Sequence, residues 1–344
     1  MSVRSVGIVG ASGYSGGVAA RLVAGHPRLR LAFATSDARS GQSVGESLGL
    51  ASDLRFAKNS EALDLGKGVD AILLATPAEV SSELGPALAS PGRTVIDLSG
   101  AFRLASPGDY PAHYGFEHPF PERLGKTHYG LPELFGAPSE GTLVANPGCY
   151  PTAALLALAP LVRAGIVESA GIIVDAKSGT TGAGRQSKEE HSFAEVAENL
   201  RAYRLLSHQH EPEIGQKLGG HPAAPALRVT FTAHLLPVRR GLLATCYARP
   251  RPGVPPEAFV ECLRSAYAGC PFVLLSSPEQ VTLASVVGTN MARVGVRARS
   301  DVAVVVSAID NLLKGASGQA LQNLNLAFGF LETEGLLGLH RSSA

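Results

Sequence analysis

Near the start of the chain, a short apolar strand at residues 5–9 runs straight into Gly10-Ala11-Ser12-Gly13-Tyr14-Ser15-Gly16. A helical pattern follows at residues 18–23. Few folds accommodate that order. Glycines let the backbone turn tightly and approach a pyrophosphate, while the free N–H groups and dipole of a helix start attract its charge. The spacing is Gly-x-x-Gly-x-x-Gly rather than the commoner Gly-x-Gly-x-x-Gly, so the motif gains weight from its setting. A second apolar strand at residues 29–34 completes a βαβ unit. Further strands at 70–75 and 94–97, separated by a helix at 78–89, imply a parallel sheet. Ligands of such sheets gather at the carboxyl ends of the strands, so Thr76-Pro77 and residues 98–103 are expected to face a dinucleotide.

The stretch Thr35-Ser36-Asp37-Ala38-Arg39-Ser40 ends the second strand, where the ribose is read. With Ser36 in the reading position and Arg39 beside it, a 2′-phosphate is accommodated and NADP is favoured. With Asp37 there, repulsion favours NAD. The expectation adopted is NADP, through Ser36 and Arg39.

Of four cysteines, none forms a C-x-x-C pair, which argues against a zinc or thioredoxin-like site. Cys149 differs in setting from Cys246, Cys262 and Cys270. It lies in Asn146-Pro147-Gly148-Cys149-Tyr150-Pro151, after a strand at 142–145 and before a helix at 152–161. A thiol at a helix start has its pKa lowered by unpaired N–H groups, which suits a nucleophile. A buried cysteine that merely fills space is the plain alternative. Position in a dinucleotide-binding chain favours catalysis, with an acyl group on sulfur turned towards a nicotinamide.

Downstream, Ser207-His208-Gln209-His210-Glu211 offers an acid/base. The two histidines lack third and fourth metal ligands at familiar spacing, so no metal is expected. Anionic substrate groups need local cations or backbone donors. Arg103 follows one sheet strand, and Lys177-Ser178-Gly179-Thr180-Thr181-Gly182-Ala183-Gly184-Arg185 follows a strand at 172–175, reading as a substrate-side anion loop. The middle of the chain carries strands at 227–231, 242–247, 294–296 and 302–308 with a helix near 257–266, an α+β pattern. His234-Leu235-Leu236-Pro237 reads as a loop.

Thirty basic against 29 acidic residues give a net charge of +1, which excludes a general attraction to nucleic acid or anionic membrane. The longest apolar runs, such as residues 153–161, are far shorter than a bilayer span, and the first ten residues form a strand pattern rather than a signal peptide. A cytoplasmic location is expected.

Together these motifs resemble the N-acetyl-γ-glutamyl-phosphate reductases, relatives of aspartate-semialdehyde dehydrogenase. The resemblance rests on residues 10–14, 146–152, 177–185, His210-Glu211-Pro212-Glu213-Ile214 and Ile309-Asp310-Asn311-Leu312-Leu313-Lys314-Gly315. It implies an α/β Rossmann-type dinucleotide-binding domain at 1–150, an α+β substrate and dimerisation domain at 151–312, and a C-terminal helix in 313–344 that returns to the first domain. It implies NADPH-dependent reduction of N-acetyl-γ-glutamyl phosphate to the semialdehyde in arginine biosynthesis. Cys149 would be the nucleophile and His210 the acid/base, with His208 the alternate. The family commonly has His-Arg-His where this chain has His208-Gln209-His210, so a cation that contacts substrate would be lost.

The expected cofactor contacts are Gly10, Ser12, Gly13, Tyr14, Ser15, Gly16, Ser36, Arg39, Thr76, Pro77, Ser178, Gly179, Asn311 and Gly315. The expected substrate contacts are Arg103, Asn146, Lys177, Ser178, Gly182, Arg185, His208 and Glu211. The partners are a small acyl phosphate and phosphate, in a homodimer or homotetramer. The rival substrates are those of aspartate-semialdehyde dehydrogenase and of the lysine-pathway aminoadipyl-phosphate reductase, one methylene longer. A catalytically silent NADP-binding sensor is the non-enzyme rival.

Overall fold

The computed structural model describes residues 2–185, 193–219 and 227–338. The rest, including the end of the expected C-terminal segment at 339–344, lies outside the described residues. The chain forms two compact units: one runs to Gly148 and adds Ala316–Gly338, and the other comprises Cys149–Gly315.

In the first unit, β1 (Arg4–Val9), β2 (Leu29–Ala34), β3 (Ala71–Leu74), β4 (Thr94–Asp97), β5 (His128–Tyr129) and β6 (Leu143–Ala145) form one sheet in the order β2-β1-β3-β4-β6-β5. Every pairing is parallel. Central strands of a parallel sheet are covered on both faces, which is why β3 and β4 are buried at every residue. The crossover helices include α1 (Tyr14–Ala24) and α2 (Ala78–Leu88). The last helix, α6 (Gly318–Ala327), returns to this unit, preceded by a π-helical turn at Leu313–Ser317. Its start is tied to the glycine turn, because Ser317 Oγ donates to the Ser15 carbonyl at 2.7 Å.

Beyond α6, Glu334 accepts two bonds from the Arg28 guanidinium, at 2.8 and 2.7 Å, and Phe330 lies under that guanidinium with its ring centre 3.6 Å away.

The second unit is built on a mixed seven-stranded sheet. Its strands are β7 (Ile172–Gly179), β8 (Arg201–Tyr203), β9 (Val229–Leu236), β10 (Leu242–Ala248), β11 (Val273–Leu275), β12 (Ala292–Ala298) and β13 (Ala303–Ile309). The order is β11-β12-β13-β10-β7-β9-β8. Burial alternates along β7, β9 and β10, as expected of strands with one face packed. The longer helices of this unit include α3 (Cys149–Arg163), α4 (His210–Gly219) and α5 (Glu257–Ala266). Residues 150–161 of α3 are buried without exception, matching a helix apolar on all sides and enclosed by its neighbours.

Two sequence expectations change here. The strand expected at 172–175 continues to Gly179, so Lys177, Ser178 and Gly179 belong to β7 rather than to a loop. Only Thr180–Ala183 turns, as a 3-10 helix. Likewise the expected strand at 227–231 runs from Val229 to Leu236, which places His234 inside β9, opposite Lys177, and not in a connection. In both cases polar side chains on one face of a half-buried strand resemble the onset of a loop in the sequence.

Candidate active site

The first unit forms a cradle at the carboxyl ends of β1, β2 and β3. Gly10 closes β1 with φ +84°, and a Cβ there would lie 2.6 Å from the Ala75 carbonyl oxygen, so only glycine fits the turn. Gly13 caps α1, followed by Tyr14, Ser15 and Gly16 in its first turn. No side chain caps this helix and its first turn holds no acidic residue, so an anion at the helix start meets the positive end of the dipole and no opposing carboxylate. Ser36 is buried and donates to Ser12 Oγ at 2.7 Å, joining the end of β2 to the glycine turn. Arg39 ends a single 3-10 turn that begins at Asp37. Thr76 bonds Ser81 through its hydroxyl at 2.7 Å, and Pro77 caps α2. The cradle fits a dinucleotide diphosphate in shape and in charge.

Arg103 and Asn146 also lie in this unit, and both bond to neighbouring backbone within it. Arg103 Nε donates to the Asn146 carbonyl at 2.7 Å and Nη2 to the Leu98 carbonyl at 2.6 Å. Asn146 is fully buried; its Nδ2 donates to the Ala316 carbonyl at 3.1 Å, and its Oδ1 accepts from Asn323 Nδ2 at 3.2 Å. These two residues fix the path from β6 towards Cys149. Asn323 was not legible from sequence, since its partner stands 177 positions away.

In the second unit Cys149 is the first residue of α3, is half-buried and forms no disulfide. Gly315 presses against it: a Cβ at residue 315 would come within 2.8 Å of Cys149 Cβ. The next residue, Tyr150, is the hub of an aromatic group. Its ring meets His208 edge-on at 5.6 Å, His210 at 5.8 Å and Phe231 at 5.2 Å. Its hydroxyl lies 3.1 Å from Tyr203 Oη and donates to the His234 carbonyl at 3.2 Å. Burial, followed by the neighbouring Tyr203 and Cys149, pushes the Tyr150 phenol well above its ordinary range. The Tyr203 phenol is pushed up to about 12, mainly by burial, so both remain neutral donors.

The two histidines differ. His208 precedes α4 and its Nδ1 accepts the His210 backbone N–H at 3.1 Å, capping the helix. Burial, and secondarily Arg204, lowers its pKa to about 4, so it is neutral near pH 7. His210 is the first residue of α4, its ring 4.9 Å from that of His208. Arg204 Nη1 donates to Gln209 Oε1, which places a guanidinium beside the residue between the histidines. Arg204 holds a left-handed backbone, φ +48°, a feature with no sequence signal. Glu211 accepts from the Phe231 N–H at 3.1 Å and thereby joins α4 to β9.

The expected anion loop is divided by the strand alternation. Ser178 is buried on the packed face of β7, whereas Lys177 lies on the other face and bonds Asp175 Oδ2 at 2.6 Å. Asp175 Oδ1 also lies 3.1 Å from His234 Nδ1. Gly182 folds over Ser178; a Cβ there would sit 2.9 Å from Ser178 Oγ. Asn311 is buried, accepts from the Gly241 N–H at 2.8 Å and donates to Thr181 Oγ1 at 2.9 Å. Gly179 passes against the Arg240 backbone, and Arg185 is exposed past the turn. Thus Ser178, Gly179, Gly182 and Asn311 converge, and Lys177 does not join them. Among the described residues, no group of three or more His, Cys, Asp or Glu side chains is arranged to hold a metal ion, and no helix is long and apolar enough to cross a membrane.

Two family models match the chain: the NAD binding domain of semialdehyde dehydrogenase over residues 5–140 and its dimerisation domain over residues 149–311. A curated N-acetyl-gamma-glutamyl-phosphate reductase from Halorhodospira halophila is 44% identical, covering 97% of this chain and 98% of its own. One from Geobacillus kaustophilus is 42% identical over the same shares of the two chains. In fold, the chain resembles aspartate semialdehyde dehydrogenase II from Vibrio cholerae, with TM-score 0.72 at 18% identity, covering 96% of this chain and 99% of that one. It also resembles the Candida albicans aspartate semialdehyde dehydrogenase solved with NADP, with TM-score 0.67 at 16% identity over 95% and 99%.

Proposed function

The chain belongs to the N-acetyl-γ-glutamyl-phosphate reductase family, and we propose that it reduces N-acetyl-γ-glutamyl phosphate to N-acetylglutamate semialdehyde with NADPH, in arginine biosynthesis. The observation that carries the chemistry is Cys149 at the first turn of a buried helix, followed by Tyr150, whose ring meets those of His208 and His210. Amide groups at that helix start stabilise a thiolate.

In this reading His210 takes the thiol proton and Sγ attacks the acyl carbon. A C–S bond forms, the bond from that carbon to the phosphate oxygen breaks, and phosphate departs with the electron pair and the proton from His210. The acyl group is then a thioester on Cys149. Bound NADPH supplies the hydride that reduces its carbonyl. The resulting alkoxide expels Sγ and releases the aldehyde. His208 takes no proton in this scheme: its Nδ1 is engaged by the His210 N–H, so it positions His210. Backbone N–H groups near Cys149 stabilise the oxyanion.

The cofactor is held by residues 10–16 with Ser36, Arg39, Thr76 and Pro77. Asn311 keeps the Ser178–Gly182 turn in place, and Gly315 leaves room for the Cys149 side chain. Arg103, through its guanidinium, and Arg185 remain the cations assigned to substrate or phosphate. The second unit is assigned the contacts of a homodimer or homotetramer, in line with the dimerisation model it matches, and the protein is assigned to the cytoplasm.

The test is phosphate-dependent reduction of NADP with N-acetylglutamate semialdehyde, using Cys149→Ser as control. Turnover lost in the variant supports the scheme, and full turnover in the variant refutes it. Activity only with the substrate one methylene longer would transfer the reading to the lysine-pathway reaction.

A further inference from the structure

At the end of β2 stands an acidic residue, Asp37, one position past Ser36. A carboxylate in this neighbourhood ordinarily accepts from the ribose hydroxyls of NAD and repels a 2′-phosphate. Here both its oxygens are already engaged. Oδ1 accepts from the Asn59 backbone N–H and Oδ2 from Asn59 Nδ2, each at 2.8 Å.

Asn59 is itself fixed. Its Oδ1 accepts from Thr35 Oγ1 at 2.6 Å, and the same Thr35 hydroxyl oxygen accepts from the Gly10 N–H at 3.3 Å. Because a carboxylate only accepts and the Thr35 hydroxyl donates, the orientation of the Asn59 amide is determined by its partners. The backbone supports the same placement: Ser36 N–H donates to the Ala57 carbonyl at 2.8 Å, so residues 57–59 run alongside 35–37. Ser36 and Arg39 are the two ends of one turn, with Arg39 N–H donating to the Ser36 carbonyl at 3.4 Å.

We infer that Asn59 is a specificity-determining residue: it holds the Asp37 carboxylate away from the ribose, and so allows a chain with an acidic residue at this point to take a 2′-phosphate on Ser36 and Arg39. The carboxylate loses the freedom to swing towards the ligand. Asn59 does not touch the reacting atoms and acts through Asp37.

The inference rests on the NADPH reading above, and the experiment separates the two. Equilibrium dissociation constants of NADPH and NADH are measured by titration calorimetry for the wild type, Asn59→Ala, Asp37→Ala and the double variant. The wild type should bind NADPH more tightly. Asn59→Ala should lower the NADPH-over-NADH preference about tenfold, the scale of one like-charge contact near a surface. The double variant should regain the wild-type preference, because the released carboxylate is gone.

Should Asn59→Ala fail to fold, Asn59→Asp keeps an acceptor for Thr35 while repelling Asp37, and should shift the preference in the same direction. A wild type without NADPH preference would overturn the cofactor reading and the inference together. An NADPH-preferring wild type whose Asn59→Ala variant keeps its preference would overturn the inference alone. So would equal weakening of both cofactors without rescue by Asp37→Ala, since that would mean Asn59 acts only through Thr35 and the glycine turn.

Discussion

Replacing Gly315 with alanine probes the packing around the candidate nucleophile. The new methyl carbon would start 2.8 Å from Cys149 Cβ, with Ile309 Cδ1 at 3.2 Å and the Asp310 carbonyl oxygen at 3.3 Å. Carbon atoms rest at about 3.5–4.0 Å, so residue 315 and Cys149 must separate by about 1 Å. Ile309 and Asp310 hinder retreat of residue 315, which directs the movement towards the cysteine. Overpacking of this kind costs about 1–3 kcal/mol of stability. A misplacement of about 1 Å at a reacting group costs about 100-fold in rate. The assay is kcat and KM for the phosphate-dependent reaction, together with the alkylation rate of Cys149, the urea midpoint and the NADPH dissociation constant. A large fall in kcat with folded protein and little change in NADPH binding is expected. A kcat within threefold of wild type would refute the steric argument. A loss confined to NADPH binding would show that Gly315 acts on the cofactor and not on the thiol.

His208→Asn keeps an acceptor for the His210 N–H and should retain most activity, whereas His208→Ala should lose about 1 kcal/mol of capping and lower kcat without moving the pH profile. A pH profile displaced in both variants would instead make His208 the titrating group. The folded-state pKa of His208, about 4, lies below its ordinary 6.5, so the unfolded chain binds more protons between these values. Wild-type stability should therefore fall as pH drops from 6.5 towards 4, by up to about 3 kcal/mol from this residue, and His208→Asn should show a shallower fall in urea titrations. Arg28→Ala removes the paired bonds to Glu334 and the stacking on Phe330; a stability loss of about 1–3 kcal/mol is expected, and an unchanged urea midpoint would count against the contact.

The glycine turn and the parallel sheet were legible in the sequence because both are imposed by the local backbone. Gly10 needs a positive φ, and the apolar runs of β3 and β4 need cover on both faces. Cys149 was legible for the same reason, as a polar atom between a strand and an apolar helix. What was not legible depends on distant packing. Lys177 and His234 look like loop residues until β7 and β9 pair and assign them to the exposed side of a strand. Tyr203 reaches Tyr150 across 53 positions from a segment where Glu198, Arg204 and Leu206 all adopt positive φ without being glycine. The engagement of Asn146 by Asn323 and of Asp37 by Asn59 likewise required the folded chain.

The return of α6 to the first unit has a consequence for the order of folding. Ser317 meets Ser15 across 302 positions, and the stretch Cys149–Gly315 of the second unit lies within that interval. Contacts so remote in sequence close late, and a chain made from its N-terminus lacks them until residue 317 has been added. The second unit, continuous from Cys149 to Gly315, is then available to fold first. The nascent nucleotide cradle, waiting for its last helix, is the portion most exposed to misfolding and the portion a chaperone or an early-bound ligand would protect.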